Sequence, residues 1–211
     1  MSNKKQVEKN HYFNKKYDSK NRIISYWQQI EEVKKCNPES ILEIGIGNKF
    51  VSDYLKKHNY NIKTMDIDPD LEPDKVGSVT DIPFEDNSFD CVLCCEVLEH
   101  IPFNQFRVAL KEINRVAKRR VILSIPDASR KYRFLIQIPK IGEIKFLIPI
   151  PRLKKLEHKF DGEHYWEIGK RNYSLGKIKD IINNVNGLKL EKTYELFENA
   201  YHRFFILKVI N

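Results

Sequence analysis

Between residues 40 and 127, short apolar runs alternate with amphipathic stretches of helix length, and few folds accept that pattern. "SILEIG", "NIKTMDID", "DKVGSV", "FDCVLCCEV" and "RRVILSIPD" have the length and composition of strands. "FVSDYLKKHN" reads as a helix, and so does "FNQFRVALKEINRVAK", where Phe106, Leu110, Ile113 and Val116 share one face. Strands that alternate with helices predict a parallel sheet, its crossover helices covering both faces. Upstream, "NRIISYWQQIEEVKKC" spaces Ile23, Ile24, Trp27, Ile30 and Val33 as a helix. Downstream, "SLGKIKDIINNVN" is a helix with Ser174 as its N-cap. "LKLEKTYELF" and "RFFILKVI" have no helix between them and are expected to pair antiparallel.

The expected domain is thus a single α/β unit over residues 1–211 with a mostly parallel sheet of seven strands, its last strand antiparallel. Residues 1–37 are a mobile arm followed by a helix, and 38–127 form the ligand-binding core. Residues 128–172 form an insertion after the fifth strand, and 173–211 a helix and β-hairpin. The insertion has neither a helical nor a strand period, and long irregular segments of this kind commonly serve as lids over binding sites.

Bulk properties remove several classes. Mean hydropathy is −0.53, and no apolar run reaches the roughly 18 residues that span a bilayer. The first 22 residues lack the apolar stretch of a secretory signal, so a cytoplasmic location is expected. Of the four cysteines, Cys91, Cys94 and Cys95 sit in one strand-like run. Side chains alternate across a strand, so Cys91 and Cys94 would diverge, and their C-x-x-C spacing argues for neither zinc nor redox chemistry. Net charge is +8, which suits an anionic partner such as nucleic acid, a phosphorylated substrate or lipid headgroups. No nucleic-acid recognition motif accompanies it.

The first strand runs into "ILEIGIGNKF". Gly45 and Gly47 allow a tight turn and close approach of a ligand to the backbone. A dinucleotide fingerprint needs a third glycine where Phe50 stands, and a P-loop needs Gly-Lys-Ser/Thr, which is absent. Glu43 would repel a pyrophosphate and suits a cationic ligand or one presenting N–H groups.

These residues resemble motif I of the class I S-adenosylmethionine-dependent methyltransferases, E/D-x-G-x-G-x-G. "TMDIDPD", "GSVTDIPFEDNSFDCVLCCEVLEHIP" and "LKEINRVAKRRVILSIPD" follow in the order of the methyltransferase type 11 group. The resemblance covers about residues 38–127 and the closing hairpin, and implies a Rossmann-like fold with S-adenosyl-L-methionine as cofactor. It implies that Glu43, with the Gly45–Gly47 turn, faces the methionine moiety. Asp66 holds the ribose hydroxyls, with Asp68 the alternative. Ile67 and Ile82 flank the adenine, and Glu96 lines the sulfonium side. There are two departures. Lys49 replaces the third motif glycine, so the turn is expected to lack a positive φ there. Ser78 replaces an adenine-binding aspartate, for which Asp81 would substitute.

For the chemistry, "EVLEHIP" brings Glu96, Glu99 and His100 within one helical turn. His100 would serve as a general base, or the three residues would bind a divalent metal, or the turn is structural. The pattern is similar to the metal-binding E-x-x-E-H of ubiquinone O-methyltransferases and small-RNA 2′-O-methyltransferases. In the insertion, His158, His164, Tyr165, Trp166 and Glu167 are further substrate-side candidates, His164 first among them; Tyr165 and Trp166 would equally anchor the lid. The basic, apolar stretch 130–160 suits the mouth of a site for a lipid-like acceptor, peripheral contact with a membrane, a dimer interface or a covered flap. The expected activity is methyl transfer to a small-molecule or lipid-like acceptor, at oxygen. The rivals are RNA or protein methylation, and a non-catalytic cofactor-binding protein.

Overall fold

The computed structural model describes residues 5–15, 17–151 and 156–210. Its helices are α1 (Lys9–Tyr12), α2 (Lys20–Cys36), α3 (Phe50–Lys57), α4 (Phe106–Val116) and α5 (Leu175–Asn183). Its strands are β1 (Ile41–Ile44), β2 (Ile62–Asp66), β3 (Lys75–Val76), β4 (Phe89–Cys95), β5 (Ala117–Pro126), β6 (Lys131–Ile138), β7 (Gly142–Pro149), β8 (Leu188–Glu195) and β9 (His202–Val209). Seven of them form one sheet in the order β3-β2-β1-β4-β5-β9-β8. The first five strands pair parallel, and β9 runs antiparallel between β5 and β8. The order reverses between β1 and β4, which opens a crevice at their carboxyl ends.

Two cores hold the layers together. On one sheet face, α4 buries Phe106, Leu110, Ile113 and Val116, and α5 buries Ile178 and Ile182, against Val92, Cys94, Val121 and Leu123. On the other, Ile30 and Val33 of α2 and Val51 and Leu55 of α3 pack on Cys91, Leu93, Ile122 and Phe204. Cys91 and Cys94 therefore lie in different cores, as strand alternation requires. Ser174 caps α5, its hydroxyl accepting the Lys177 N–H at 3.2 Å. Trp27 departs from its expected place on the apolar face of α2: it is 46% exposed and meets Tyr54 edge-on.

Two expectations need correction. Within the insertion, β6 and β7 form a regular antiparallel hairpin rather than an irregular segment. The strand period is hidden in sequence because Leu135 and Leu147 lie on the otherwise polar face. The arm is not a loose tail either: its described residues fold over the crevice, where Tyr12, Tyr17 and His11 pack edge-to-face. No helix among the described residues is long and apolar enough to cross a membrane.

Candidate active site

The crevice holds a cavity whose floor is the turn after β1. Gly45 and Gly47 take φ of +79° and +49°. At Gly45 space matters as well, because a Cβ there would lie 2.2 Å from Cγ2 of Val97. Gly45→Ala is expected to cost about 2 kcal/mol of stability, from backbone strain and overpacking together. Urea unfolding measures it, and Val97→Ala in the same chain should restore only the steric part. Lys49 overturns its expectation. It adopts φ +65° as the N-cap of α3, so the left-handed turn survives without glycine. Its carbonyl accepts the Asp53 N–H at 2.9 Å, and its ammonium lies 3.6 Å from Glu72.

Glu43 is buried at the end of β1, and no donor among the described residues reaches its Oε2. Burial pushes its carboxyl up to about 8, which a hydrogen bond with Ser52 only partly opposes. Between the ordinary 4.5 and about 8, the folded chain holds one more proton here than the unfolded chain. This contribution therefore falls as pH rises through that window. Glu43→Gln should gain roughly 3 kcal/mol on the cofactor-free wild type between pH 5 and pH 9. Parallel stability curves for the two proteins would count against this burial effect.

Asp66, at the end of β2, ties the turn together. Its Oδ2 accepts the Ile46 N–H at 2.9 Å and its Oδ1 the Asp68 N–H at 2.9 Å. Each oxygen keeps a second lone pair. Asp68 also lines the cavity; its Oδ1 accepts the Asp70 N–H, and its buried Oδ2 has no partner among the described residues. Ile67, Ser78 and Val79 form the adjoining wall. Asp81 and Ile82 are not brought to it. Ile82 is 2% exposed in the core, its N–H donating to Glu112 at 3.1 Å, and Asp81 bridges back to Ser78. Val79, which sequence reasoning passed over, lines the cavity instead.

The same cavity is lined by an acidic and imidazole cluster. Glu99 is fully buried, and neither carboxylate oxygen has a hydrogen-bond donor among the described residues. Burial, with Glu96 nearby, holds its carboxyl well above the ordinary range. His100 Nδ1 faces two acceptors, Gln6 Oε1 at 2.6 Å and the Glu163 carbonyl at 3.0 Å. That nitrogen therefore carries the proton, and Nε2 keeps its lone pair, 3.9 Å from Glu99 Oε1. Burial, and next His164, depress His100 to about 4. His164 packs edge-on to His100 at 5.0 Å, and its Nδ1 lies 3.2 Å from Glu167 Oε1. Burial lowers the His164 pKa, but the hydrogen bond with Glu167 and the charge of Asp161 outweigh it, and the net shift is upward. Tyr201 donates to the same Glu167 oxygen at 2.6 Å.

Glu99, His100 and His164 can place one ligand atom each within 4.8 Å of one another. Glu96 stands apart from this set, contrary to the sequence expectation for a metal. Its Oε1 accepts from Ser124 Oγ at 2.7 Å, and its Oε2 lies 3.4 Å from His202 Nε2. The positive φ of Glu96, +53°, breaks the helical turn on which its i,i+3 spacing to Glu99 depended. The segment carrying His164 is stitched down by Tyr165 N–H to the Glu99 carbonyl at 2.8 Å and Trp166 Nε1 to the Ile101 carbonyl at 3.2 Å. Trp166 is wholly buried against Phe103 and Phe106, which makes it an anchor. His158 supports the His164 carbonyl from behind at 2.8 Å.

The arm supplies wall residues that the sequence reading missed: Gln6, His11, Tyr12, Tyr17 and, from α2, Arg22 and Tyr26. Lys5 pins it to Asp70 at 2.8 Å, and Asp18 accepts from Asn48 of the glycine turn. The available signal was the density of aromatic residues in "NHYFNKKYD", unusual for a solvated tail.

A carboxyl-edge cavity with a glycine turn, a strand-end acid and this strand order defines the class I S-adenosylmethionine-dependent methyltransferases. Residues 42–125 match the methyltransferase domain family, and the chain is an enzyme of that class. It is 28% identical over 157 residues to a demethylmenaquinone methyltransferase of Thermotoga maritima, covering 60% of this chain and 68% of that one. A solved S-adenosylmethionine-dependent methyltransferase of Clostridium acetobutylicum has the same fold at TM-score 0.62 and 10% identity, over 97% of this chain and 100% of that one. The magnesium protoporphyrin IX methyltransferase of Synechocystis, solved with bound S-adenosylhomocysteine, follows at TM-score 0.59 and 13% identity, over 90% and 84%.

Proposed function

We propose that the chain transfers the methyl group of S-adenosylmethionine to an oxygen of a small-molecule or lipid-like acceptor. The observation that carries this reading is that one cavity joins the Glu43–Gly45–Gly47–Asp66 turn to the Glu99–His100–His164 cluster. In this reading Asp66 accepts from the ribose hydroxyls and Glu43 faces the cofactor ammonium. Ile67, Ser78 and Val79 border the adenine, and Glu96 borders the sulfonium. His164, oriented by Glu167, takes the acceptor's proton while the S–CH3 bond breaks and the O–CH3 bond forms. The relative from Thermotoga maritima, a demethylmenaquinone methyltransferase by name, supports a small or lipid-like acceptor.

A second reading of the same cluster is favoured by the two unpartnered Glu99 oxygens. Glu99, His100 and His164 form a carboxylate and imidazole donor set that fits a divalent ion, and such an ion would acidify a hydroxyl acceptor. Calorimetry with S-adenosylhomocysteine tests the shared premise. Binding by the wild type that is lost in Asp66→Ala is expected, and equal binding by both would overturn the site.

A further inference from the structure

The β6–β7 hairpin is built inside out. Its register pairs Tyr132 with Ile148, Phe134 with Phe146 and Ile136 with Ile144. By strand alternation these six share one face, and all are exposed, Tyr132 by 67%. Ile141, at the tip, is 74% exposed. The opposite face leans on the body through polar groups. Lys131 pairs with Asp127 and Glu195, Arg133 donates to the Glu198 carbonyl at 3.1 Å, and Lys145 reaches Glu198 Oε1 at 3.2 Å. A hairpin meant for water would turn these faces the other way, since a continuous exposed apolar face marks an interaction surface. None of its residues lines the cavity, so acceptor binding does not account for it.

Charge selects the occupant. Residues 130–159 carry nine Lys and Arg against two Glu, a net +7 of the whole chain's +8. Lys131 and Lys145 are offset by Asp127, Glu195 and Glu198 on the body, and a second copy docked face to face would bring together two sets of the other seven cations. An anionic bilayer offers apolar depth to the aromatic face and negative headgroups to the exposed Arg130 and Lys140 at the two ends of the hairpin. We propose that this hairpin docks the enzyme on the surface of an anionic lipid bilayer, with Phe134, Phe146 and the isoleucines inserted at the headgroup boundary. The docking would present the active-site edge to the membrane, because β6 begins five residues after β5 ends.

Flotation of the full chain with vesicles tests this. Wild type should float with phosphatidylglycerol–phosphatidylcholine vesicles, much less with phosphatidylcholine alone, and less again as salt rises. The double variant Phe134→Ser, Phe146→Ser removes apolar area that no buried core uses. It should lower vesicle partitioning by about tenfold or more and leave the unfolding curve unchanged. Ile136→Ser, Ile144→Ser is the independent second variant. Failure of wild type to float, or equal flotation by wild type and both folded variants, would overturn the proposal. So would a wild-type dimer in sedimentation that either variant dissociates, because a second copy would then occupy the face.

Discussion

His164→Ala should lower kcat by roughly 10²- to 10⁴-fold, the range associated with loss of a positioned proton acceptor, and leave S-adenosylhomocysteine affinity nearly unchanged. The expectation rests on geometry that only a polar role explains. His164 Nδ1 faces Glu167 at 3.2 Å, and Tyr201 fixes the same carboxylate from the other side at 2.6 Å. That arrangement orients the ring through Nδ1 and, in the proposed reaction, leaves Nε2 to take the acceptor's proton. A chelator separates the two readings of the cluster. If His164 acts as the base, activity persists after chelation and Glu99→Gln has a small effect. If the cluster holds a divalent ion, chelation abolishes activity, and Glu99→Gln falls as far as His164→Ala. An unchanged kcat in His164→Ala would remove both readings.

Asp66→Ala should weaken S-adenosylhomocysteine binding by about 10²-fold, the combined worth of two hydrogen bonds from hydroxyls to a charged acceptor. Asp66 also accepts the Ile46 N–H, so part of the loss comes from a looser glycine turn. Asp66→Asn separates the contributions, since an amide oxygen still accepts one hydrogen bond without the charge, and it should fall between alanine and wild type. Asp68→Ala is the natural comparison. Its Oδ2 is buried without a partner among the described residues, so it is the alternative ribose acceptor on geometric grounds as well. A larger loss in Asp68→Ala than in Asp66→Ala would transfer the ribose role to Asp68.

Local pattern was enough for the parallel sheet, for α4 with four of its five buried residues, for the Ser174 cap and for the divergence of Cys91 and Cys94. Each depends on spacings of a few residues and on an apolar face that has to be buried. The glycine turn and Asp66 were legible for a related reason: both sit at strand ends, and strand order brings strand ends together. Lys49 was misread because the propensity of an isolated residue disfavours φ +65°, whereas its neighbours enforce it through the cap of α3.

The rest was decided only in three dimensions. Glu96 and Glu99 are three apart in sequence, yet the backbone at Glu96 turns it toward Ser124 and His202 and away from the cluster. His164 takes its place beside Glu99 and His100 from 64 residues further along. The place of the arm over the glycine turn and the outward turn of the apolar face of the β6–β7 hairpin were likewise fixed only by the fold, because each depends on which side of a segment meets the body. The sequence by itself determined the sheet, the glycine turn and the class of chemistry, since those follow from short-range periodicity and fixed chain geometry. The tertiary structure decided which ionisable groups share the cavity and which apolar face stays uncovered, because long-range packing fixes the distances, and burial sets the charge states.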